Sequence, residues 1–335
     1  MADGKASFQG LGVLSGYSAS KAYAISGDGQ VVVGSSYTDD DTAQACLWTA
    51  QKGVVGLGTL RDYPYGEAYA ASKDGSVIGG TCNFHDIYLA FMWTQAGGIK
   101  EVPSSDPNFT ANTIQGVSVD GSVLVGIGGG GYAPQACRWT APNKLKGLGF
   151  LTSVKSSAAL GLSAVGSLIV GQSANDKDMP QPVIWPGTGG IITLPLLKGS
   201  VGGMVFGVSG DSTVSVGSSS ITRDTYQATL WNASGAVSLG DLPGGQQACA
   251  AYAASYDGSL IVGFTTTNDG EKAFIWDPQN RMRNLRDVLV SYGLAPQLQG
   301  WQLNRASAIS FDGSAIAGHG TNPNGLTEAF LANLP

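Results

Sequence analysis

One nine-residue segment recurs seven times along this chain: a serine, then after one residue a two-residue turn, then a β-branched run closed by glycine. The copies read SGDGQVVVG from Ser26, SKDGSVIGG from Ser72, SVDGSVLVG from Ser118, SAVGSLIVG from Ser163, SGDSTVSVG from Ser209, SYDGSLIVG from Ser255 and SFDGSAIAG from Ser310. Successive serines lie 46, 46, 45, 46, 46 and 55 residues apart. Four short strands and their turns occupy a unit of that length, so the spacing predicts an all-β, seven-bladed β-propeller of four-stranded antiparallel blades. Because the repeat runs through all 335 residues, residues 1–335 are expected to form a single domain around a continuous core. The 50 glycines and 13% charged residues then signal turns rather than disorder, since glycines keep fixed offsets and large apolar residues recur between them.

Each unit reads as four strands. In the first, KAYAIS ends at Ser26, Gly27-Asp28-Gly29 turns the chain, and QVVVG runs to Gly34, giving an inner strand and its hairpin partner. ACLWTA from Ala45 and VVGLGTL from Val54 supply the third and fourth strands. The residue two before each serine is always small: Ala24, Ala70, Gly116, Gly161, Gly207, Ala253 and Ala308. Inner strands that converge on an axis leave little room there, so this position is expected to face inward. Tryptophan recurs in the third strand at Trp48, Trp93, Trp139, Trp185, Trp231 and Trp276, where packing between blades contributes about 1.5–3 kcal/mol per ring.

The two ends of the chain complement each other. EAFLANLP at the C-terminus is a third strand without a fourth, and residues 7–14, SFQGLGVL, resemble a fourth strand without its predecessors. The N-terminal strand is therefore expected to complete the last blade and close the ring. Before that blade, RNLRDVLVSYG carries Leu285, Val288, Leu289 and Tyr292 at helical spacing, with Gly293 as the stop, and Trp301 is expected to anchor the connection.

A formal charge of −6, with no Lys/Arg cluster beyond RMRNLRD at Arg281, argues against nucleic acid as a partner. No run of about 18 apolar residues suggests membrane insertion by this chain. The start MADGKASFQG lacks the basic and apolar regions of a signal peptide, but a trimmed mature chain would look the same, so it assigns no cytoplasmic home. Four cysteines are too few for a disulfide framework; Cys46 and Cys137 take the slot of Phe91 and Phe274 and are expected to be buried, Cys82 to lie in a loop and Cys249 near a strand start.

Several elements carry a family likeness. GLGTLRD at Gly56 and SLGDLPGG at Ser238, AYAISGDGQVVVG at Ala22 and AYAASYDGSLIVG at Ala251, and LAFMW at Leu89, KAFIW at Lys272 and EAFLA at Glu328 recur in the same order. In these residues, over almost its whole length, the chain resembles the HAF-type extracellular repeat proteins of bacteria. It departs from them in lacking the histidine before alanine-phenylalanine, where Leu89, Lys272 and Glu328 stand. The resemblance implies a bacterial propeller that is secreted, displayed at the cell surface or passed through an autotransporter, with no catalytic residues to carry over.

The turns after each serine are nearly uniform, whereas the loops between second and third strands and between units differ freely, so a partner is expected on that variable face. Asp28, Asp74, Asp120, Asp257 and Asp312 read as turn residues. Tyr37, Tyr63, Tyr65, Phe84, Tyr88, Tyr132 and Tyr226, with Asn175, Arg223 and Asp224, supply the rings and planar polar groups that suit saccharide or peptide recognition. Asp39, Asp40 and Asp41, and Asp176 and Asp178 beside Asn175, are acidic loops without a calcium-loop pattern; solvation is the expected state, and Ca2+ is the one cofactor they suggest. No CxxC, HExxH, G-x-S-x-G or phosphate-loop motif occurs. The two histidines, His85 and His319, fall in equivalent loops and would form an acid-base site at the channel mouth with Asp86 if both leaned to the axis.

The leading expectation is a monomeric propeller that binds a glycan or a protein. The alternatives are a lyase or hydrolase built around His85, Asp86 and His319, and a structural passenger or spacer domain.

Overall fold

The computed structural model describes residues 5–40, 42–106, 108–129, 133–142, 144–222 and 224–335. After β1 (Ser7–Gly10), the strands β2 (Ala19–Ile25), β3 (Val32–Tyr37), β4 (Ala43–Thr49) and β5 (Gly53–Gly56) hydrogen-bond in chain order as an antiparallel sheet. The same order holds for β6 (Tyr65–Ala71), β7 (Val77–Phe84), β8 (Ile87–Thr94) and β9 (Gly98–Glu101), and for β10 (Ala111–Val117), β11 (Val123–Gly128), β12 (Gln135–Thr140) and β13 (Lys144–Gly147). It holds again for β14 (Ser157–Leu162), β15 (Leu168–Ala174), β16 (Pro180–Pro186) and β17 (Ile192–Thr193).

The next two sets are β18 (Gly202–Val208), β19 (Ser215–Ser220), β20 (Tyr226–Asn232) and β21 (Gly235–Ser238), then β22 (Gly245–Ala254), β23 (Ile261–Thr267), β24 (Gly270–Asp277) and β25 (Arg281–Asn284). A single parallel bridge from Tyr226 to Ala248 joins these two antiparallel sets into one sheet. After α1 (Leu285–Ser291), the strands β26 (Gln302–Ile309), β27 (Ala315–Thr321) and β28 (Thr327–Asn333) take β1 as their fourth strand. Ser7 pairs with Asn333 and Gly10 with Phe330, so the expected terminal closure is present. Its strand is shorter than the sequence suggests: Leu11 N still donates to Ala329 O at 2.8 Å, and residues 12–14 lie outside the ladder.

The inner strands touch in sequence order, β2 against β6 and onward to β22 against β26, and β26 returns to β2. On the side of the serine turns, a circle of backbone hydrogen bonds ties them together. Asp28 N donates to Lys73 O, Lys73 N to Val119 O, Val119 N to Ala164 O, and Ala164 N to Gly210 O. Asp211 N then donates to Tyr256 O, Tyr256 N to Phe311 O, and Phe311 N returns to Gly27 O at 2.9 Å. The residue after each repeated serine therefore supplies a backbone group to the link between neighbouring sheets, and its side chain is fitted to its neighbours: Phe311 packs on Gly27 and Tyr256 on Gly210, where a Cβ would meet the ring.

The serines and turn aspartates have the structural role that the sequence suggests. Ser26 Oγ donates to Asp28 Oδ1 at 2.6 Å and accepts from Val31 N at 2.9 Å, while Gln30 N donates to the same carboxylate. Ser72 with Asp74, Ser118 with Asp120, Ser255 with Asp257 and Ser310 with Asp312 repeat it, and Asp211 with Ser209 joins the set. These hydrogen bonds hold Asp120 down to about 2, its Ser118 partner contributing most.

Core packing follows the repeat. Trp48, Trp139, Trp185, Trp231 and Trp276 are buried, and Trp93 is half-buried against the cluster around Ile78 and Phe91. All four cysteines are free and buried, Cys82 within β7 rather than in a loop, and burial pushes the thiols of Cys46, Cys137 and Cys249 up to about 12. The predicted helix forms as α1, with Leu285, Val288 and Leu289 buried and Asn284 accepting from Arg286 N as its cap. Trp301 is buried edge-on to Phe8 of β1, the ring centroids 5.2 Å apart, so the long connection and the N-terminal strand hold each other.

Candidate functional site

Every inner strand carries one extra residue at the same place. The register of β2 on β3 steps from Ala22–Gly34 to Ala24–Val33 and leaves Tyr23 unpaired. Equivalent steps leave out Tyr69, Gln115, Leu160, Phe206, Tyr252 and Ser307. A bulge re-aims a side chain and draws the backbone towards its partner. A Cβ on Gly34 would fall on the carbonyl oxygen of Lys21, and the glycines that close the other copies face the same carbonyl in their own sheets. The invariant glycine is thus the sequence mark of the bulge.

The bulged residues, with the small residue that follows each, line a central cavity of about 440 Å³. Ala24, Ala70, Gly116, Gly161, Gly207, Ala253 and Ala308 all face it, as expected. A second recess of about 400 Å³, lined by Lys21, Tyr23, Glu271, Asn304, Arg305, His319, Gly320, Thr321 and Thr327, shares Tyr23, Arg305 and His319 with the first. It lies where β27 turns into β28, on the variable-loop side, and forms the mouth of the central cavity.

Charge is confined to one sector. Glu67 on β6 is held by three phenols: Oε1 accepts from Tyr37 at 2.5 Å and from Tyr23 at 3.2 Å, and Oε2 accepts from Tyr69 at 2.5 Å. Burial first and the Glu67 carboxylate next keep Tyr23 and Tyr69 far above the ordinary phenol range; for Tyr37, burial is followed by Tyr23 and then Glu67. Across the mouth, Arg305 on β26 grips Glu271 on β24 through both nitrogens of a fork, Nε to Oε2 at 2.8 Å and Nη2 to Oε1. Its Nη1 donates to Tyr252 Oη at 3.1 Å, and the guanidinium lies 4.2 Å from the centre of the Phe264 ring. The fork to Glu271 raises Arg305 above its usual value, and burial pushes the Tyr252 phenol up to about 12.

His319 is opposite Arg305 in the ladder. Among the described residues its buried Nδ1 has no hydrogen-bond partner, and burial, followed by the positive charges of Lys21 and Arg305, pushes the imidazole down to about 4. It is therefore neutral at pH 7.

The residues expected from the sequence are distributed unevenly around this site. Tyr37 reaches it through Glu67, and Tyr226 on β20 is near enough to Arg305 and Glu271 to feel both charges. Tyr63 packs on the core under the first and second sheets, and Tyr65 begins β6 half-buried. Phe84, His85, Asp86 and Tyr88 are exposed together at the tip between β7 and β8, with the Phe84 and His85 rings 4.1 Å apart. Neither His85 nor Asp86 lines the cavity or its mouth, and His319 sits within β27 rather than in a loop, so the structure does not assemble the expected three-residue acid-base site.

Asn175 spends its side-chain oxygen on Lys177 N and Met179 N, closing its own turn. Asp39 accepts from Ser18 Oγ, and Asp39, Asp40, Asp176, Asp178 and Asp224 are exposed. Asp41, Tyr132 and Arg223 lie outside the described residues. Among the described residues, no three His, Cys, Asp or Glu side chains converge as a metal site would require.

Sequence reasoning missed Lys21, Tyr23, Glu67, Tyr69, Tyr252, Glu271 and Arg305. The available signal was the position three before each serine, which varies as Tyr, Tyr, Gln, Leu, Phe, Tyr and Ser just before the residue that is always small.

No family model matches this sequence, and no curated protein matches it. Similarity to solved structures is extensive. An oligogalacturonate lyase from Vibrio parahaemolyticus is 10% identical, covers 99% of this chain and 97% of its own, and superposes with a TM-score of 0.62. An oligogalacturonate lyase in complex with manganese is 14% identical at the same TM-score, with 100% and 99% covered. TolB from Acinetobacter baumannii is 13% identical with a TM-score of 0.54; the match covers 77% of this chain and 63% of the TolB chain. At such identities the likeness speaks for architecture alone. Together with the four-stranded antiparallel sheets around a central cavity, it shows that this chain is a β-propeller.

Proposed function

We propose that the chain is a single-domain, seven-bladed propeller that binds a glycan at the mouth of its central cavity. The carrying observation is how the tyrosine protons are spent. Tyr37 and Tyr69 donate to Glu67, and Tyr23 donates to Glu67 or to Tyr37 Oη, so Tyr23 and Tyr69, which line the cavity, have spent their protons and keep oxygen lone pairs as acceptors. Tyr252 accepts from Arg305 and keeps its own proton to donate. A wall of aromatic faces edged by fixed acceptors and a donor suits a ring-shaped ligand rich in hydroxyl groups, and the cavity volume falls in the range of small-ligand sites. The resemblance to HAF-type repeat proteins adds secretion or surface display by a bacterium to this reading, with the protein acting as a monomer.

Calorimetric titration with neutral and acidic oligosaccharides tests it. Binding that falls at least tenfold in Tyr23→Ala and Tyr69→Ala, with Phe84→Ala at the exposed hairpin unchanged, is the expected outcome. No binding by any sugar, or loss only in the hairpin variant, would remove the cavity mouth as the site.

A further inference from the structure

We infer that the mouth takes a sugar acid, its carboxylate set against Lys21 and His319 and its ring resting on the tyrosines below. This rests on the glycan-binding reading and specifies the ligand's charge. The argument comes from sorting the ionic groups at the mouth. Arg305 has its charge paired with Glu271 and spends three of its five N–H donors, two on that carboxylate and one on Tyr252. Glu67 has both oxygens occupied by phenol hydroxyls and lines neither the cavity nor its mouth.

Lys21 is different. It lines the mouth half-buried, and among the described residues its ammonium has neither an ion pair nor a hydrogen bond, only the face of Tyr37 with the ring centre 5.1 Å away. Beside it, the Nδ1 of His319 is buried and has no hydrogen-bond partner among the described residues, although the ring lines both the mouth and the cavity. Leaving a buried polar atom unpaired is costly, and a ligand that supplies the missing partner gains what the free protein lacks.

Arg305 and Glu271 pair with each other and the Glu67 carboxylate lies behind the phenols, so among the described residues Lys21 is the cation that lines the mouth without an ion pair. That matches a monoanion. An imidazole in the tautomer with hydrogen on Nδ1 donates one hydrogen bond, and the ammonium donates another, so the two oxygens of one carboxylate can each be met. A phosphate dianion would carry a second charge without a cation. The acceptors on Tyr23 and Tyr69 call for hydroxyl donors on the same ligand, which a sugar acid has and a fatty acid lacks.

The test is calorimetry on the intact protein with digalacturonate and with its neutral parent, digalactose, at low and at physiological salt. The acid should bind at least tenfold tighter at low salt, with the gap narrowing as salt rises. Lys21→Met should erase that preference, and Lys21→Arg should keep part of it. His319→Phe, checked for an unchanged melt, should narrow it as well. Equal binding of acid and parent, or a preference that survives Lys21→Met, would overturn the sugar-acid assignment while leaving glycan binding in place. Binding of neither sugar would bring down the glycan reading and this inference with it. Tighter binding of a tripeptide with a free C-terminal carboxylate than of digalacturonate would also overturn it.

Discussion

Acidification from neutral pH is expected to weaken the fold through His319. Its imidazole is buried at the cavity mouth, with Lys21 and Arg305 opposing a positive charge and Glu271 favouring one, and the balance lowers its pKa from 6.5 to about 4. In the unfolded chain the ring takes a proton near 6.5, whereas in the folded protein it resists until about 4. Between those values the unfolded state holds more protons, so stability is fully present above 6.5, falls as pH drops from 6.5 to 4, and is flat below. The depression of about 2.5 units corresponds to about 3 kcal/mol, of which roughly 2.5 kcal/mol is lost by about pH 4.5. The turn aspartates Asp74, Asp120 and Asp257 are held below the ordinary carboxylate value by their serine partners, so their contributions are lost only at lower pH. Urea unfolding of the natural protein and of His319→Gln at neutral pH and at about pH 4.5 measures the difference. The natural protein should lose about 2.5 kcal/mol more than the variant over that interval. The same loss in both proteins would show that His319 titrates normally and that its surroundings are wetter than described.

Deleting residues 1–14 removes β1, exposes the ladder edge of β28 and strips Phe8 from Trp301, so the truncated protein should aggregate or melt well below the intact chain; an unchanged melt refutes closure by the N-terminus. Ser212 occupies the turn position where six of the seven repeats have glycine, and its φ is 68°. Ser212→Gly is therefore expected to stabilise the protein by about 1 kcal/mol, read as an upward shift in denaturant midpoint without a change in slope.

Much of the architecture was legible in the chain because one packing problem is solved repeatedly with the same residues. The serine and aspartate of each turn, the small residue two before the serine, the closing glycine and the third-strand tryptophan each serve one local need, so recurrence alone reveals them. The unmatched ends announced ring closure, and helical spacing announced α1. The site was not legible in this way, because it is made of the positions where the repeats differ. Glu67 meets Tyr23 and Tyr37 from the preceding sheet, and Arg305 meets a carboxylate 34 residues earlier, contacts that exist only because particular sheets are neighbours around an axis. The two histidines show the limit most directly. Placement in equivalent loops allowed a shared pocket if both leaned to the axis, yet one ends on an exposed hairpin tip and the other inside a strand.

Periodicity in the sequence determined the strands, their pairing and the closed circle, since each depends on short-range spacing that every unit restates. Which side chains enter the central cavity was decided only in three dimensions. A bulge turns one otherwise unremarked residue per strand towards the axis, and burial there sets the charges of the groups that meet.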